Sequence, residues 1–283
     1  MNLPFLETMI TQTCNISCLG CTNYSDLKHS GYVSWSDGKK DIEQWLQRIN
    51  IEEFGIIGGE PLVNPEWQQW VVGLRSLMPL SQLRFTTNGL LLHKYPDIID
   101  LMESVGNIVF KITVHLNDLE LENNIERIFK SRNWKSVTEY GIKRFIGDNK
   151  VRLQINRPDQ FLMSYQGTYR DMKPWHSNPV DAFKICCQKT CPLLFKGKIY
   201  KCSTSGLLKE TLERFNNPNI NEWIKYIPQG ISTNDNDLTI SEFCNNFNQS
   251  HAICGQCPSD VNKGSINHLS NVFNKKTFSI KTI

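Results

Sequence analysis

The sequence predicts an α/β fold with a parallel sheet, followed by a small cysteine-rich module that contains a β-hairpin. Segments with strand character alternate with segments of helical periodicity over the first 156 residues, which is the pattern of parallel sheets covered by helices. The most unusual loops of this stretch directly follow its strands. The ten cysteines form an early group and a late group, and residues 22–185 contain none. Two groups so far apart predict two metal regions.

Composition and charge describe an ordinary globular chain and exclude some classes of function. The 283 residues are 40% hydrophobic and 21% charged, and their formal net charge is +3. The basic residues are scattered, so no nucleic-acid partner is expected. No apolar run reaches the ~18 residues of a membrane span, and the N-terminus lacks the basic start of a secretory signal. We therefore expect a cytoplasmic protein without a membrane contact, in which cysteines serve metal or redox chemistry instead of disulfides.

Each predicted strand is followed by a predicted helix up to the fifth strand. Branched and aromatic residues indicate the strands, and apolar residues at helical spacing indicate the helices. The strands are predicted at residues 5–13, 54–57, 83–87, 108–115 and 151–155, and the helices at 36–49, 65–74, 98–105 and 119–129. This order predicts a parallel sheet, open or closed into a barrel, with the active site where the strands end.

Three loops at predicted strand ends carry chemically informative residues. The first has three cysteines spaced C-x3-C-x2-C, one fewer than the four that close a zinc site or a ferredoxin-type cluster. The other two loops read Gly-Gly-Glu-Pro and Thr-Thr-Asn-Gly. Because the strands are predicted to be parallel, the loops are expected to converge at one edge of the sheet. Their residues are Cys14, Cys18 and Cys21, then Gly58, Gly59, Glu60 and Pro61, then Thr86, Thr87, Asn88 and Gly89.

In this order after successive strands, the three loops resemble the signature of the radical S-adenosylmethionine (SAM) superfamily. The resemblance covers roughly residues 5–156 and implies a partial (βα)6 barrel with an open mouth. It implies that Cys14, Cys18 and Cys21 hold three irons of a 4Fe-4S cluster, and that SAM chelates the fourth iron. Reductive cleavage of SAM, with an electron from flavodoxin or ferredoxin, would give a 5′-deoxyadenosyl radical that abstracts a hydrogen from the substrate.

The resemblance also implies which residues contact SAM. In the family a segment like Gly-Gly-Glu-Pro contacts the SAM amino group, and glycines permit such a close approach of the backbone. Thr113 and His115 alternate along the fourth strand and therefore share one face, which we expect to help hold SAM. A core histidine is the alternative for His115. The expected SAM contacts are Gly58, Gly59, Glu60, Pro61, Thr87, Asn88, Thr113 and His115.

The late cysteines include a predicted hairpin and a C-x2-C turn. If Lys196 and Gly197 form a two-residue turn, Cys191 and Cys202 are paired across the two strands. Further along, Cys254-Gly-Gln-Cys257 has the spacing of a metal-binding turn.

This region resembles the twitch domain, the shortened form of the SPASM domain that follows many radical SAM barrels. The resemblance implies one auxiliary 4Fe-4S cluster, for which we expect Cys191, Cys202, Cys254 and Cys257 as ligands. The first ligand of the family usually lies further upstream, so Cys187 and Cys186 are rivals of Cys191. Cys244 is expected to be structural or a spare ligand, and a structural zinc is the alternative to the cluster. The expected regions are residues 1–156 (barrel), 157–185 (bridging region), 186–260 (twitch-like domain) and 261–283 (C-terminal tail).

The expected function is a radical SAM reaction on a small polar metabolite, such as a sugar, a cyclitol or a nucleotide derivative. A fully ligated auxiliary cluster favours electron transfer and thus an oxidation, whereas an epimerisation needs a hydrogen donor, for which Cys186, Cys187 or Cys244 is available. The first strand begins near residue 5 and leaves no room for a preceding peptide-recognition domain, which favours a small substrate. Maturation of a ribosomal peptide or protein side chain is the alternative. A non-catalytic iron-sulfur or zinc protein would leave the second and third loops unexplained.

Overall fold

One ten-stranded sheet organises the chain in the computed structural model, which describes residues 1–27, 29–116, 119–130, 132, 134–139, 142–267 and 272–274. The strands are β1 (Asn2–Met9), β2 (Ile16–Cys18), β3 (Asn50–Ile57), β4 (Gln82–Thr87), β5 (Ile108–Thr113), β6 (Lys135–Glu139), β7 (Ile142–Ile146), β8 (Arg152–Asn156), β9 (Gln160–Leu162), β10 (Leu193–Phe195), β11 (Lys198–Tyr200), β12 (Ile231–Ser232), β13 (Ser265–Asn267) and β14 (Val272–Asn274). The helices are α1 (Trp35–Leu46), α2 (Trp67–Leu77), α3 (Ile98–Val105), α4 (Leu119–Lys130), α5 (Pro179–Ile185), α6 (Ser203–Arg214), α7 (Ile220–Trp223), α8 (Asp237–Asn246) and α9 (Val261–Gly264).

The centre of the sheet is parallel, which confirms the predicted α/β class. The strand order is β12-β11-β10-β1-β3-β4-β5-β8-β7-β6, and all neighbours from β10 to β8 are parallel. The first five predicted strands therefore lie side by side. A sixth parallel strand, β10, comes from the late cysteine region and pairs with the outer edge of β1. The late region is thus built onto the same sheet as the early one.

Helices cover one face of this sheet with a continuous apolar core, and we call it the helical face. Leu6, Phe54 and Phe85 of three neighbouring strands are fully buried there. Trp67 of α2 meets Phe85 edge to face, with ring centroids 5.7 Å apart. Burying each such large side chain contributes roughly 1.5–3 kcal/mol. The helices occupy this face, and the opposite face is left for polar residues.

The strands and helices end at other residues than predicted mainly where the chain contacts a distant segment. The first strand was expected to continue to residue 13 but ends at Met9. From there the backbone leaves the ladder and contacts the second loop, with the Gly59 N–H donating to Thr11 O at 2.7 Å. The bridging region contains β9 and α5, whose N-cap Asn178 accepts from Val180 N and Asp181 N.

The last described segments return to the early cysteine loop. Strand β13 pairs with β9, and β14 pairs antiparallel with β2, so that Val272 lies opposite Cys18. Residues 268–271 and 275–283 of the predicted tail lie outside the described residues. Within the described ranges, no helix combines the length and the apolar character needed to cross a bilayer.

Candidate functional site

A cavity of about 270 Å³ lies where β1, β3, β4 and β5 end. It brings together residues from all three predicted loops and from the fourth parallel strand. Its walls are Cys14, Ile16, Cys18, Cys21, Thr22, Asn23, Ile57, Gly58, Gly59, Thr86, Thr87, Asn88, Lys111, Thr113, His115 and Phe161.

The early cysteine loop is tightly folded and largely shielded from solvent. Cys14 and Cys18 are buried, and the Cys21 N–H donates to Cys18 O at 3.1 Å. Gly20 has a φ of 76°, a left-handed conformation that favours glycine, so the turn between the second and third cysteines requires it. Burial, and secondarily the negative charge of Asp26, raises the pKa of Cys21 to about 11. The thiol is therefore protonated at neutral pH until a metal displaces the proton.

The two glycines of the second loop allow it to pack directly against the first loop. A Cβ at Gly58 would lie 2.7 Å from Thr11 O, and one at Gly59 would lie 2.9 Å from the Cβ of Cys14. Both separations are shorter than real Cβ contacts, so any larger residue would push the cysteine loop away. The glycines line the cavity as predicted, and they also serve this loop-to-loop contact, which was not anticipated.

Glu60 faces the protein and not the cavity. The cavity wall does not include Glu60 or Pro61, although both belong to the segment expected to contact SAM. The fully buried Glu60 carboxylate accepts from Thr87 Oγ1 at 2.6 Å and from Asn88 N at 2.7 Å. Burial raises the pKa of Glu60 to about 7, against these hydrogen bonds. Its side chain therefore positions the third loop relative to the second.

Asn88 connects the third loop to the first. Its Nδ2 donates to Asn15 Oδ1 at 2.7 Å and lies 4.0 Å from Cys14 Sγ. Asn15 was not singled out from the sequence, although it directly follows the first cysteine. The three loops thus form one hydrogen-bonded unit around the early cysteines.

The fourth parallel strand supplies the remaining predicted wall residues and one that was missed. Thr113 and His115 both line the cavity, and His115 meets Phe161 of β9 edge to face at 5.9 Å. His115 therefore lies on the cavity wall, in contrast to the core alternative. Lys111 lies two residues before Thr113 on the same face and also lines the cavity. The alternation that indicated Thr113 would have identified Lys111 as well.

Five late cysteines influence one another electrostatically, and three of them, Cys202, Cys254 and Cys257, belong to the set that the sequence favoured. Burial raises the pKa of Cys257 well above its usual value, and Cys202, Cys186, Cys254 and Cys187 raise it further. Burial likewise raises the pKa of Cys202 to about 11, with hydrogen bonds to Ser205 opposing and Cys186 and Cys254 adding. We call Cys186, Cys202, Cys254 and Cys257 the late quartet.

Cys191 has different leading electrostatic neighbours. Burial raises its pKa to about 12, and the charged groups that act on it most are Glu7, Arg84 and Lys111, followed by Cys187. The predicted turn at Lys196-Gly197 is confirmed, since Phe195 lies opposite Lys198. However, β10 begins at Leu193 and β11 ends at Tyr200, so the expected cross-strand pair of Cys191 and Cys202 does not form. Pro192 cannot extend the ladder as a donor, and Cys202 instead becomes the N-cap of α6.

Two further late cysteines have different surroundings. Cys244 is buried in α8, and its packing among Ile240 and Phe247 of the main core fits a structural role. Cys187 is exposed.

The spacing of the thiols bears on which metal group they fit. Within the described ranges, no three His, Cys, Asp or Glu side chains converge closely enough to hold one metal ion. Zinc requires four ligands at about 2.0–2.3 Å from a single point, whereas a 4Fe-4S cluster carries each thiolate on a separate iron. The thiolates of each group would bind separate irons if a cluster assembled there.

Short polar contacts join the two cysteine groups. Thr204 Oγ1, in the first turn of α6, donates to Thr22 O at 3.2 Å, one residue after Cys21. Further on, His29 Nε2 lies 3.0 Å from Thr211 Oγ1 of the same helix. The buried Lys201 ammonium donates to Lys189 O at 2.9 Å and interacts electrostatically with Cys254, Cys202, Cys186 and Cys191, so it supplies a positive charge beside the late cysteines.

Comparison with known proteins gives one family. Residues 8–146 match the model of the radical SAM superfamily, a range that includes the early cysteines and ends before the late ones. Among curated relatives, the GTP 3′,8-cyclase of Petrotoga mobilis is 31% identical over 97 residues, covering 33% of this chain and 30% of that protein. The GTP 3′,8-cyclase of Clostridium acetobutylicum is 29% identical over 162 residues, covering 55% and 47%. The chain thus spans less than half the length of these curated relatives.

Among solved structures, that of BtrN in complex with AdoMet and 2-DOIA aligns over 90% of this chain and 92% of that chain. Its TM-score is 0.49 at 14% identity. Streptococcus suis SuiB aligns over 44% of this chain and 27% of that chain, with a TM-score of 0.34 at 18% identity.

Proposed function

Because this chain belongs to the radical SAM superfamily, we propose that its 270 Å³ cavity holds a 4Fe-4S cluster on Cys14, Cys18 and Cys21, together with SAM. When bound, these groups supply a 5′-deoxyadenosyl radical, which would take a hydrogen atom from the substrate. The observation that carries the proposal is that three cysteines, two glycines and three polar residues of the third loop line the same cavity from separate strand ends. Three thiolates leave one iron available for SAM.

The protein's own residues would hold and align the two groups. Glu60 orients Thr87 and Asn88, and Asn88 in turn contacts the loop of Cys14. The glycines permit close approach of the second loop, and Phe161 with His115 closes one side of the cavity. These contacts fix the geometry before SAM binds, which is the protein's contribution in cofactor chemistry.

We further propose an auxiliary 4Fe-4S cluster on the late quartet, with Cys186 in place of the favoured Cys191. The effect of Cys202, Cys186 and Cys254 on the pKa of Cys257 supports this assignment. Cys187 acts on Cys257 more weakly and is exposed, and it is the rival of Cys186. The groups that act most on Cys191 are Glu7, Arg84 and Lys111. Four thiolates would fill such a cluster, so it would accept an electron from a substrate radical and pass it on.

A small polar metabolite is the proposed substrate, oxidised or epimerised with the help of the auxiliary cluster. The curated relatives are named GTP 3′,8-cyclases, which supports the nucleotide derivative among the substrates considered and adds ring formation to the candidate reactions. A ribosomal peptide or a protein side chain is the second candidate. We expect an external one-electron reductant such as flavodoxin or ferredoxin.

The deciding experiment measures iron, sulfide, zinc and 5′-deoxyadenosine on anaerobically reconstituted protein. We expect about eight irons with matching sulfide per chain, and 5′-deoxyadenosine after reduction with SAM. About four irons and one zinc would leave the radical chemistry and make the late quartet structural. Zinc without iron, and no 5′-deoxyadenosine, would contradict the proposal.

A further inference from the structure

The face of the sheet opposite the helices carries a dense set of charged side chains, and we call it the polar face. Along one row of the register, Glu7 lies opposite Gly55, which lies opposite Arg84. Along the next row, Thr86 lies opposite Lys111, which lies opposite Gln154. Each of these positions alternates with a buried apolar residue of the helical face. The polar face therefore continues from the cysteine-lined cavity down to the middle of the sheet.

Lys111 lies where the two cysteine groups and the polar face meet. It lines the cavity that contains Cys14, Cys18 and Cys21. Its electrostatic neighbours also include Glu7 and Arg84 of the polar face, and Cys191 and Cys187 of the late region. A substrate that must reach both the radical source and the late region would therefore pass this ammonium group.

Lys111 and Glu7 have no direct partner in the part of the chain that the structure describes. No hydrogen bond or ion pair within 4.0 Å reaches the Lys111 ammonium or the Glu7 carboxyl there. Their neighbour Arg84 is different, because it forms an ion pair with Glu53 Oε1 at 2.6 Å and lies 4.7 Å from the Phe5 ring centre. Glu7 is 7% exposed, and among the described residues its oxygens do not belong to the buried atoms without a partner. The Lys111 ammonium and the Glu7 carboxyl can therefore make new contacts to a ligand.

Gly55 allows Glu7 and Phe5 to pack closely over β3. A Cβ at Gly55 would lie 2.9 Å from the Glu7 Cβ and 3.0 Å from the Phe5 ring, so a side chain there would displace Glu7.

The charge balance of the polar face favours an anion. Its basic residues are Arg84, Lys111, Arg144 and Arg152, and its acids are Glu7 and Glu53. The Arg84 charge is already matched by Glu53, and Arg152 bonds Gln82. Burial raises the pKa of Glu7 to about 8, so at neutral pH this carboxyl cancels little of the charge of Lys111.

We propose that the polar face is the substrate site, where Lys111 binds the phosphate of a phosphorylated sugar or nucleotide and Glu7 accepts from its hydroxyl groups. This inference rests on the proposed function, since it names the substrate class of that site. Ammonium groups bind phosphate oxygens through charge-assisted hydrogen bonds, and a carboxyl oxygen accepts from hydroxyls. The exposed Lys94 offers a matched control on the outside of the sheet.

The test is calorimetric titration of ribose 5-phosphate and of ribose into the reconstituted, SAM-bound protein. We expect ribose 5-phosphate to bind at least about 10-fold more tightly than ribose. Lys111→Gln should weaken ribose 5-phosphate by about 10- to 100-fold, as for loss of a hydrogen bond to a charged group. Lys111→Arg should recover part of the affinity, and Lys94→Gln should leave it unchanged. Equal binding of both sugars, no binding of ribose 5-phosphate, or wild-type affinity in Lys111→Gln would overturn the inference.

Two further measurements distinguish phosphate binding by Lys111 from a role of Lys111 in SAM binding and from a failure of the proposed function. In Lys111→Gln the loss of ribose 5-phosphate affinity should exceed the loss of SAM affinity, and an equal loss of the two would assign Lys111 to SAM and overturn the inference. A different result would contradict the proposed function alone. In that case wild-type protein binds ribose 5-phosphate through Lys111 but forms no 5′-deoxyadenosine on reduction with SAM.

Discussion

The early and the late cysteine groups differ in how the chain brings their thiols together. The early group occupies eight consecutive residues, 14–21, on a loop held by two neighbouring loops. The late quartet is assembled from the end of α5, the N-cap of α6 and a turn 50 residues further on. A site contained in one loop can be recognised from the spacing of its residues in the sequence. A site built from distant segments depends on how those segments pack. The following predictions test this difference, from the largest effect to the smallest.

The first prediction concerns the early loop. Cys18→Ala should reduce 5′-deoxyadenosine formation to background, because only two thiolates remain in a loop without a substitute ligand. The loss should exceed the roughly 10- to 100-fold cost of changing an outer-shell residue at a metal site. Cys244→Ala, in the apolar core, is the control and should retain the product. Full 5′-deoxyadenosine formation by Cys18→Ala would refute the early site.

The second prediction compares two cysteines of the late region. Cys186→Ala should lose about four of about eight irons per chain, whereas Cys191→Ala should keep them, because Cys186 raises the pKa of both Cys202 and Cys257. Iron analysis and the visible absorption of the reconstituted variants provide the measurement. The opposite result, with iron lost only from Cys191→Ala, would restore the ligand set that spacing favoured.

The third prediction concerns pH and the contact between the two regions. Burial, with Arg214 as the next cause, lowers the pKa of His29 from 6.5 to about 4. Below pH 6.5 the unfolded chain therefore binds more protons than the native one. The neutral His29 side chain stabilises the fold fully above pH 6.5, and this stabilisation is lost as the pH falls through 4. Over this range the free energy of unfolding falls by a few kcal/mol at most.

Urea unfolding between pH 7 and pH 4 measures this effect. His29→Gln keeps a polar partner for Thr211 without a titrating group, so its stability should fall less steeply over the same range. Parallel pH profiles of wild type and His29→Gln would show that His29 does not couple pH to the packing of α6.

The smallest expected effect comes from one hydrogen bond between the regions. Thr204→Val removes the bond to Thr22 O and should lower the free energy of unfolding by about 1 kcal/mol. Ser76→Ala removes a bond within an exposed turn of α2 and should change it by less than about 0.5 kcal/mol. An equal change in the free energy of unfolding for Thr204→Val and Ser76→Ala would mean that the bond to Thr22 O does not stabilise the contact between the early and late groups.

The sequence by itself determined the order of strands and helices and the three loops at strand ends. Alternation and helical spacing are properties of neighbouring residues, so β3, β4 and β5 and the helices between them could be recognised without knowing their partners. The same holds for the turn at Lys196-Gly197, whose left-handed φ values of 49° and 74° suit a two-residue hairpin turn.

Only the tertiary structure decided which distant residues meet. The inward direction of Glu60, the charged neighbours of Cys191 and the pairing of β10 with β1 all depend on long-range register. Lys111 is an intermediate case. The alternation of side chains along its strand predicts the sheet face on which it lies, but not the residues that surround it. Burial and electrostatic proximity arise from packing between segments far apart in the chain, and a single sequence does not encode these distances in any local pattern.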